Sequence, residues 1–198
     1  MAEPLLVVGL GNPGPEYSGT PHNLGFDVID RLAGTNGIRV TQPDSKALVG
    51  SGRIAGQPVM LAKPQTYMNL SGGSVRLLFE KYGFDLSDLV LVYDELALPW
   101  TNVRVRPDGS SAGHNGVESV IRSLGSKQFA RVRIGIHPGH PIRDGAQFVL
   151  APLGRAQQQD LDPLLDTCCQ AVESIISEGV EKAMAKYNRR AQGAKEEE

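Results

Sequence analysis

The sequence predicts an α/β layered domain with helices on both faces of its sheet, and three observations lead there. Short apolar, β-rich runs alternate along the chain with segments of helical spacing. No linker or repeat interrupts that alternation. The 198 residues, 40% apolar and 21% charged, are enough to bury one substantial core.

Each element has its own signal. Leu5-Leu6-Val7-Val8-Gly9-Leu10 is short and closed by glycines, which suits a fully buried strand. After a loop, Leu24, Val28, Ile29 and Leu32 follow Asn23 at helical spacing, and Gly34 is a suitable left-handed end. Val59 to Lys63 is a second strand, running into Pro64 and a polar loop, and Ser74 to Tyr82 is a helix ended by Gly83. Leu89 to Tyr93 is a strand that stops at Asp94. Asn102 to Arg106 alternates apolar and basic residues, as a half-exposed strand does with its arginines on one face. Gly116 to Leu124 reads as a helix, and Arg131 to Ile136 as a strand with a second alternating arginine pair. From Gln157 to Tyr187 the chain is largely helical, with Leu161, Leu164, Leu165, Cys168, Val172, Ile175 and Ile176 as its apolar stripe and Gly179 as a break. Residues 1–188 thus make one domain, and the polar stretch from Arg189 to Glu198 is expected to be a frayed tail.

Composition narrows the function. Cys168 and Cys169 are adjacent in a helical stretch and point apart, so they cannot staple the fold, and a reducing compartment is expected. No apolar run approaches the roughly 18 to 20 residues of a membrane helix, so a soluble, cytoplasmic protein without membrane partners is expected. The net charge of -2 hides an uneven distribution: residues 101–143 hold seven basic and two acidic side chains, a net of +5, leaving -7 for the remainder. A locally basic face of this kind is compatible with phosphate binding, as against scattered solvated charge.

Gly9-Leu10-Gly11-Asn12-Pro13-Gly14 satisfies the G-x-G-x-x-G dinucleotide fingerprint after a strand. That fingerprint needs a helix to begin within it; Pro13 and Pro15 favour a turning loop that presents the Asn12 amide to a cleft. His22 lies where this loop meets the first helix, a position that suits a structural cap as well as a catalyst. Asp94, just past the end of a buried strand, changes the balance, because such positions open into the cleft of an α/β sheet. A His-Asp pair without a nucleophile suggests activated water, the carboxylate fixing the tautomer and the second ring nitrogen taking a proton. The four histidines show no metal-ligand spacing, and no G-x-S-x-G elbow supports a serine triad. Two further loops, Lys63 to Gly72 and Ala112 to Gly116, each carry an Asn before a helix, as a cap or as part of a set of neutral amides able to grip peptide groups and polarise an ester.

Together these blocks closely resemble bacterial peptidyl-tRNA hydrolase: GLGNPG at 9–14, Tyr17 with His22-Asn23 and Gly25, KPQTYMNLSG at 63–72, YDELALP at 93–99, GHNG at 113–116, RIGI at 133–136, and Ala183-Met184 with Tyr187-Asn188. The resemblance implies a mixed twisted sheet flanked by helices in a three-layer single domain, and hydrolysis of the ester between peptide and tRNA. It implies His22 as general base and Asp94 as its orienting partner. Asn12, Tyr17, Tyr67, Met68, Asn69 and Asn115 would bind substrate, and Arg104, Arg106 and Arg133 would contact tRNA phosphate. Family members act as monomers without metal or cofactor. The sequence departs from the family pattern at Pro21 (usually Arg or Lys), Ala97 (Asp), Thr101 and Ala112 (Gly). The competing readings are an RNA-binding protein on the same scaffold that has lost hydrolysis, and a nucleotide-binding protein.

Overall fold

The computed structural model describes residues 3–188, so the expected tail from Arg189 to Glu198 lies outside the described residues. Seven strands form one mixed sheet: β1 Leu5–Gly9, β2 Gln42–Asp44, β3 Ala47–Ile54, β4 Gln57–Pro64, β5 Leu89–Pro99, β6 Val103–Arg106 and β7 Ala130–His137. Their order is β2-β3-β4-β1-β5-β7-β6. The central four are parallel, and β2, β3 and β6 pair antiparallel at the edges.

Because side chains alternate across a strand, each central strand feeds two cores. Val7, Leu61, Val90, Val92 and Val132 point to one face, against α1 (Leu24–Asn36), α5 (Arg155–Glu178) and α6 (Val180–Tyr187). Leu6, Val8, Leu89, Leu91 and Tyr93 point to the other, against α2 (Ser71–Tyr82) and α3 (Asn115–Leu124). This is the expected layered architecture. Strand β1 lies between β4 and β5, so the chain reverses its direction of travel across the sheet there, and the loops leaving β1, β4 and β5 converge beyond their carboxyl ends. Among the described residues no helix is long and apolar enough to cross a membrane.

Several boundaries differ from the sequence reading. Helix α1 passes through Gly34 and ends at Gly37, whose φ of 64° makes the left-handed cap. Helix α2 begins at Ser71, three residues early, and β5 runs on to Pro99 through a register shift. The β2–β3 hairpin has no readable alternation, because Pro43, Gly50 and Gly52 interrupt it; Ser45 and Lys46 turn it with positive φ values. Helix α4 (Gly145–Leu150) is too short to show a period. The C-terminal helices pack on the sheet, and the Asn188 side chain bonds the backbone N–H and C=O of Val105 at 2.9 and 3.0 Å, closing the edge of β6.

Two of the departures from the family pattern lie at strained backbone. Thr101 has φ 73° and Ala112 has φ 47°, in the left-handed region where Gly carries no steric penalty. A β-branched residue there costs about 1–2 kcal/mol, part of which Gly would return through greater unfolded-state entropy. Thr101→Gly is therefore expected to raise stability by about 0.5–1 kcal/mol, roughly 2 °C in Tm for a chain of this size, readable by calorimetry; an unchanged or lower Tm would refute the strain.

Candidate active site

The site is assembled by close backbone packing. A Cβ on Gly9 would lie 2.1 Å from the Gly25 carbonyl oxygen, and one on Gly25 would lie 2.5 Å from the Val92 carbonyl oxygen. The first turn of α1 therefore sits directly on β1 and β5, and the 3-10 turn Pro21–Asn23 before it is carried to the end of β5. Asn23 then clamps the loop after β1: the Asn12 backbone N–H donates to Asn23 Oδ1 at 2.9 Å, and Asn23 Nδ2 donates to the Asn12 carbonyl at 3.0 Å. The Met68 backbone N–H donates to Asn12 Oδ1 at 2.7 Å, tying in the loop after β4. The two ends of the β1–α1 connection and the loop after β4 are thereby fixed to one another, and Asn12, its Oδ1 occupied, lines the cleft. No α-helix begins within the glycine fingerprint: Gly14 has φ 111° and a 3-10 turn, Pro15–Tyr17, follows.

At the end of β5, Asp94 is only 1% exposed. Its Oδ2 lies 2.8 Å from His22 Nδ1 and its Oδ1 lies 2.9 Å from His114 Nε2. His114 Nδ1 accepts the backbone N–H groups of Gly116 and Val117 at 3.1 and 3.3 Å, so its proton is on Nε2 and is donated to Asp94. His22 likewise donates from Nδ1, which leaves its Nε2 with a lone pair toward the cleft. Burial alone would push the Asp94 carboxyl up. The adjacent imidazole of His114 and the hydrogen bonds from both rings outweigh it and hold the group well below the usual carboxylate range.

His22 stands between two chambers of about 300 and 290 Å³ that share His22, Asn115, Ala146 and Val149. One is walled by Asp94, Glu95 and His114; the other by Asn12, Tyr17, Tyr67, Met68 and Asn69. All eight residues expected in the cleft are thus brought to it. Neither Asn69 nor Asn115 caps a helix: Asn69 lies in the 3-10 turn Met68–Leu70 and Asn115 is the first residue of α3, whose cap is His114. The sequence reading gave His114 no role; its position directly before a helix start was the available signal. Helix α4, rather than the C-terminal helices, covers the cleft, through Ala146 and Val149.

The arginines are less uniform than their spacing suggests. Arg104 and Arg133 are cross-strand partners, as are Arg106 and Arg131. Arg131 is buried, stacked 4.3 Å from the Phe129 ring centre and donating to the Lys127 carbonyl, so it leaves the basic face. Arg133 pairs with Glu95, itself buried, at 2.9 Å.

A family model described as peptidyl-tRNA hydrolase matches residues 6–196. Peptidyl-tRNA hydrolase of Solibacter usitatus is 58% identical over 98% of this chain and 99% of its own length. The enzyme of that name from Koribacter versatilis is 49% identical over 93% and 92%. The crystal structure of peptidyl-tRNA hydrolase from Acinetobacter baumannii superposes with a TM-score of 0.86 at 32% identity, covering 93% of this chain and 94% of that one.

Because the Asp94 carboxyl is held low in the fold, its contribution to stability is present above the unfolded value of about 4 and is lost as pH falls below it. Asp94→Asn should destabilise by about 2–3 kcal/mol at pH 7, since it removes the charge and sets an NH2 against one of the two ring N–H donors. The gap to the native protein should narrow below about pH 4. Urea melts at pH 7 and pH 3 check this, and a gap equal at both would refute it.

Proposed function

The chain belongs to the peptidyl-tRNA hydrolase family, and from that premise we propose that it cleaves the ester between a peptide, or an N-acylated amino acid, and the 3′-terminal ribose of tRNA with His22 as general base. The observation that carries this reading is the Asp94 Oδ2 to His22 Nδ1 contact at 2.8 Å, which leaves Nε2 able to take a proton.

Water held by His22 Nε2 attacks the ester carbonyl, and the proton passes to that nitrogen. Asp94 balances the imidazolium that forms. The oxyanion is stabilised by neutral donors around the cleft, Asn12 Nδ2 and the amides of Asn69 and Asn115, each such donor being worth roughly 3–4 kcal/mol. Collapse returns the proton from His22 to the ribose 3′ oxygen, releasing tRNA and a peptide carboxylic acid that gives its remaining proton to solvent. Tyr17, Tyr67 and Met68 shape the walls against which the peptide lies. Backbone-directed amides grip what all peptides share, which favours little side-chain preference.

Metal assistance is disfavoured by the hydrogen bonds themselves. The ligand atoms of His22, Asp94 and His114 lie within 4.8 Å of one another. With His114 Nδ1 accepting two amides, however, a metal on Nε2 would demand a fully deprotonated ring or a broken helix cap. We therefore assign a reaction without metal or cofactor. The free thiols of Cys168 and Cys169 suit the cytoplasm.

Arg104, Arg106 and Arg133 are assigned to tRNA phosphate, supported by their shared face on β6 and β7. Glu95 joins Arg133 to the chamber that holds His22, so this edge of the sheet leads to the reacting bond.

Release of N-acetylated amino acid from N-acetyl-aminoacyl-tRNA tests the chemistry. His22→Ala should lower kcat by at least about 10²-fold, and EDTA should leave the native rate unchanged. Tight tRNA binding without turnover by the native protein would favour the RNA-binding alternative. For the phosphate contacts, Arg106→Ala is the cleaner variant, because removing Arg133 strands the buried Glu95. It should weaken tRNA binding and reduce the salt slope by about one; an unchanged slope would remove Arg106 from the interface.

A further inference from the structure

We propose that His114 is a positioning residue for this reaction, a single imidazole that ties the start of α3 to Asp94 and so sets both the share of the carboxylate's charge that reaches His22 and the placement of Asn115. The inference rests on His22 as the base. Its starting point is an oddity of choice. A helix N-cap needs only a short side chain with an acceptor, and Ser, Thr, Asp and Asn serve best. Here the cap is a buried imidazole, and its second nitrogen is spent on the far oxygen of Asp94.

The ring has little freedom to do otherwise. Its centre lies 4.7 Å from that of His22 and 5.2 Å from that of Tyr93, which meets it edge to face. A Cβ on Gly116 would approach its Cε1 to 3.1 Å and the Met68 sulfur to 2.4 Å, so the glycine allows α3 to begin this close. Rotating the ring by half a turn would replace both nitrogens with carbons and strand two amides and a carboxylate oxygen. The charged and titratable groups facing it are Asp94 and Tyr93 of β5 and His22 before α1. Glu95, on the same chamber wall, is already paired with Arg133.

The two ends of the ring have separable consequences. The Nε2 end shares the charge of Asp94 with His22; without that donor, more of the charge falls on His22 and favours its charged ring. The Nδ1 end sets where α3 starts, and with it Asn115, which borders both chambers.

The chemistry of the amides allows each end to be replaced alone. Asn offers an acceptor near the position of Nδ1 and a good cap, whereas Gln carries an N–H to the region of Nε2. His114→Asn is expected to keep its Tm within a few degrees and its KM near the native value. Its kcat should fall about 10- to 100-fold, the scale of a lost hydrogen bond to a charged group, and the acid limb of kcat/KM should move to higher pH. His114→Gln should show the converse: a lower Tm and raised KM with the acid limb in place. A His114→Asn enzyme with native kcat and pH profile would overturn the proposal. If that variant does not fold, a His114→Gln enzyme whose acid limb shifts upward overturns it instead. Activity retained by His22→Ala would sink the base assignment itself; loss of activity there beside a normal His114→Asn enzyme would sink only this inference.

Discussion

A carboxylate buried as deeply as Asp94 is costly unless donors surround it, with an effective penalty of several kcal/mol for an unsatisfied ion. The fold meets that demand from both of its helical layers. His22 precedes α1, which packs on one face of the sheet, and His114 begins α3, which packs on the other. Asp94 stands where the two layers meet beyond the end of β5. Each oxygen receives one N–H, and because the carboxylate can only accept, both rings are forced to donate toward it. The free lone pair on His22 thus follows from where the charge is buried.

Such a meeting is possible only if backbones approach closely, and this explains the glycines better than phosphate binding does. Gly9 and Gly25 bring α1 onto β1 and β5, and Gly116 brings α3 against Met68. The G-x-G-x-x-G pattern is therefore met for a different physical reason: its first glycine serves strand–helix packing, and its last, at φ 111°, turns a loop into a 3-10 segment instead of an α-helix. Asn12 in the middle of that loop is locked at its backbone by Asn23 and at its side chain by Met68. An amide held on three sides can stabilise developing charge without reorganising, which is the source of most of the benefit of such donors.

What the sequence made legible follows the reach of each signal. Leu5 to Leu10 and Leu89 to Tyr93 read as strands because burial on both sheet faces leaves an unbroken apolar run. The β2–β3 hairpin was lost because its glycines satisfy packing rather than period: a Cβ on Gly50 would lie 2.1 Å from the Arg39 carbonyl oxygen. Arg131 and Arg133 share a period-2 pattern, yet one is buried under an aromatic ring and the other is held by Glu95, and alternation cannot report such pairings. His22 and Asp94 were placed by their positions at the ends of elements. His114 was not, because a cap is ordinarily satisfied by one acceptor and nothing in the spacing shows where a second ring nitrogen goes.

The division of charge around the cleft completes the reasoning. A guanidinium beside His22 would oppose the imidazolium that forms as water is deprotonated, and would weaken the base it serves. Glu95, buried on the wall of the same chamber, pairs with Arg133 and offsets its charge on the side toward His22. In the proposed reaction neutral amides do the gripping near His22, where the ester and peptide groups would carry no net charge. Arg104 and Arg106 lie together on the edge strand β6, where the proposed reading places a polyanion held by long-range attraction. If His22 is the base and the β6–β7 arginines hold phosphate, as proposed, affinity for nucleic acid and basicity of His22 make opposite demands on local potential, and separating them along the sheet would let one small domain satisfy both.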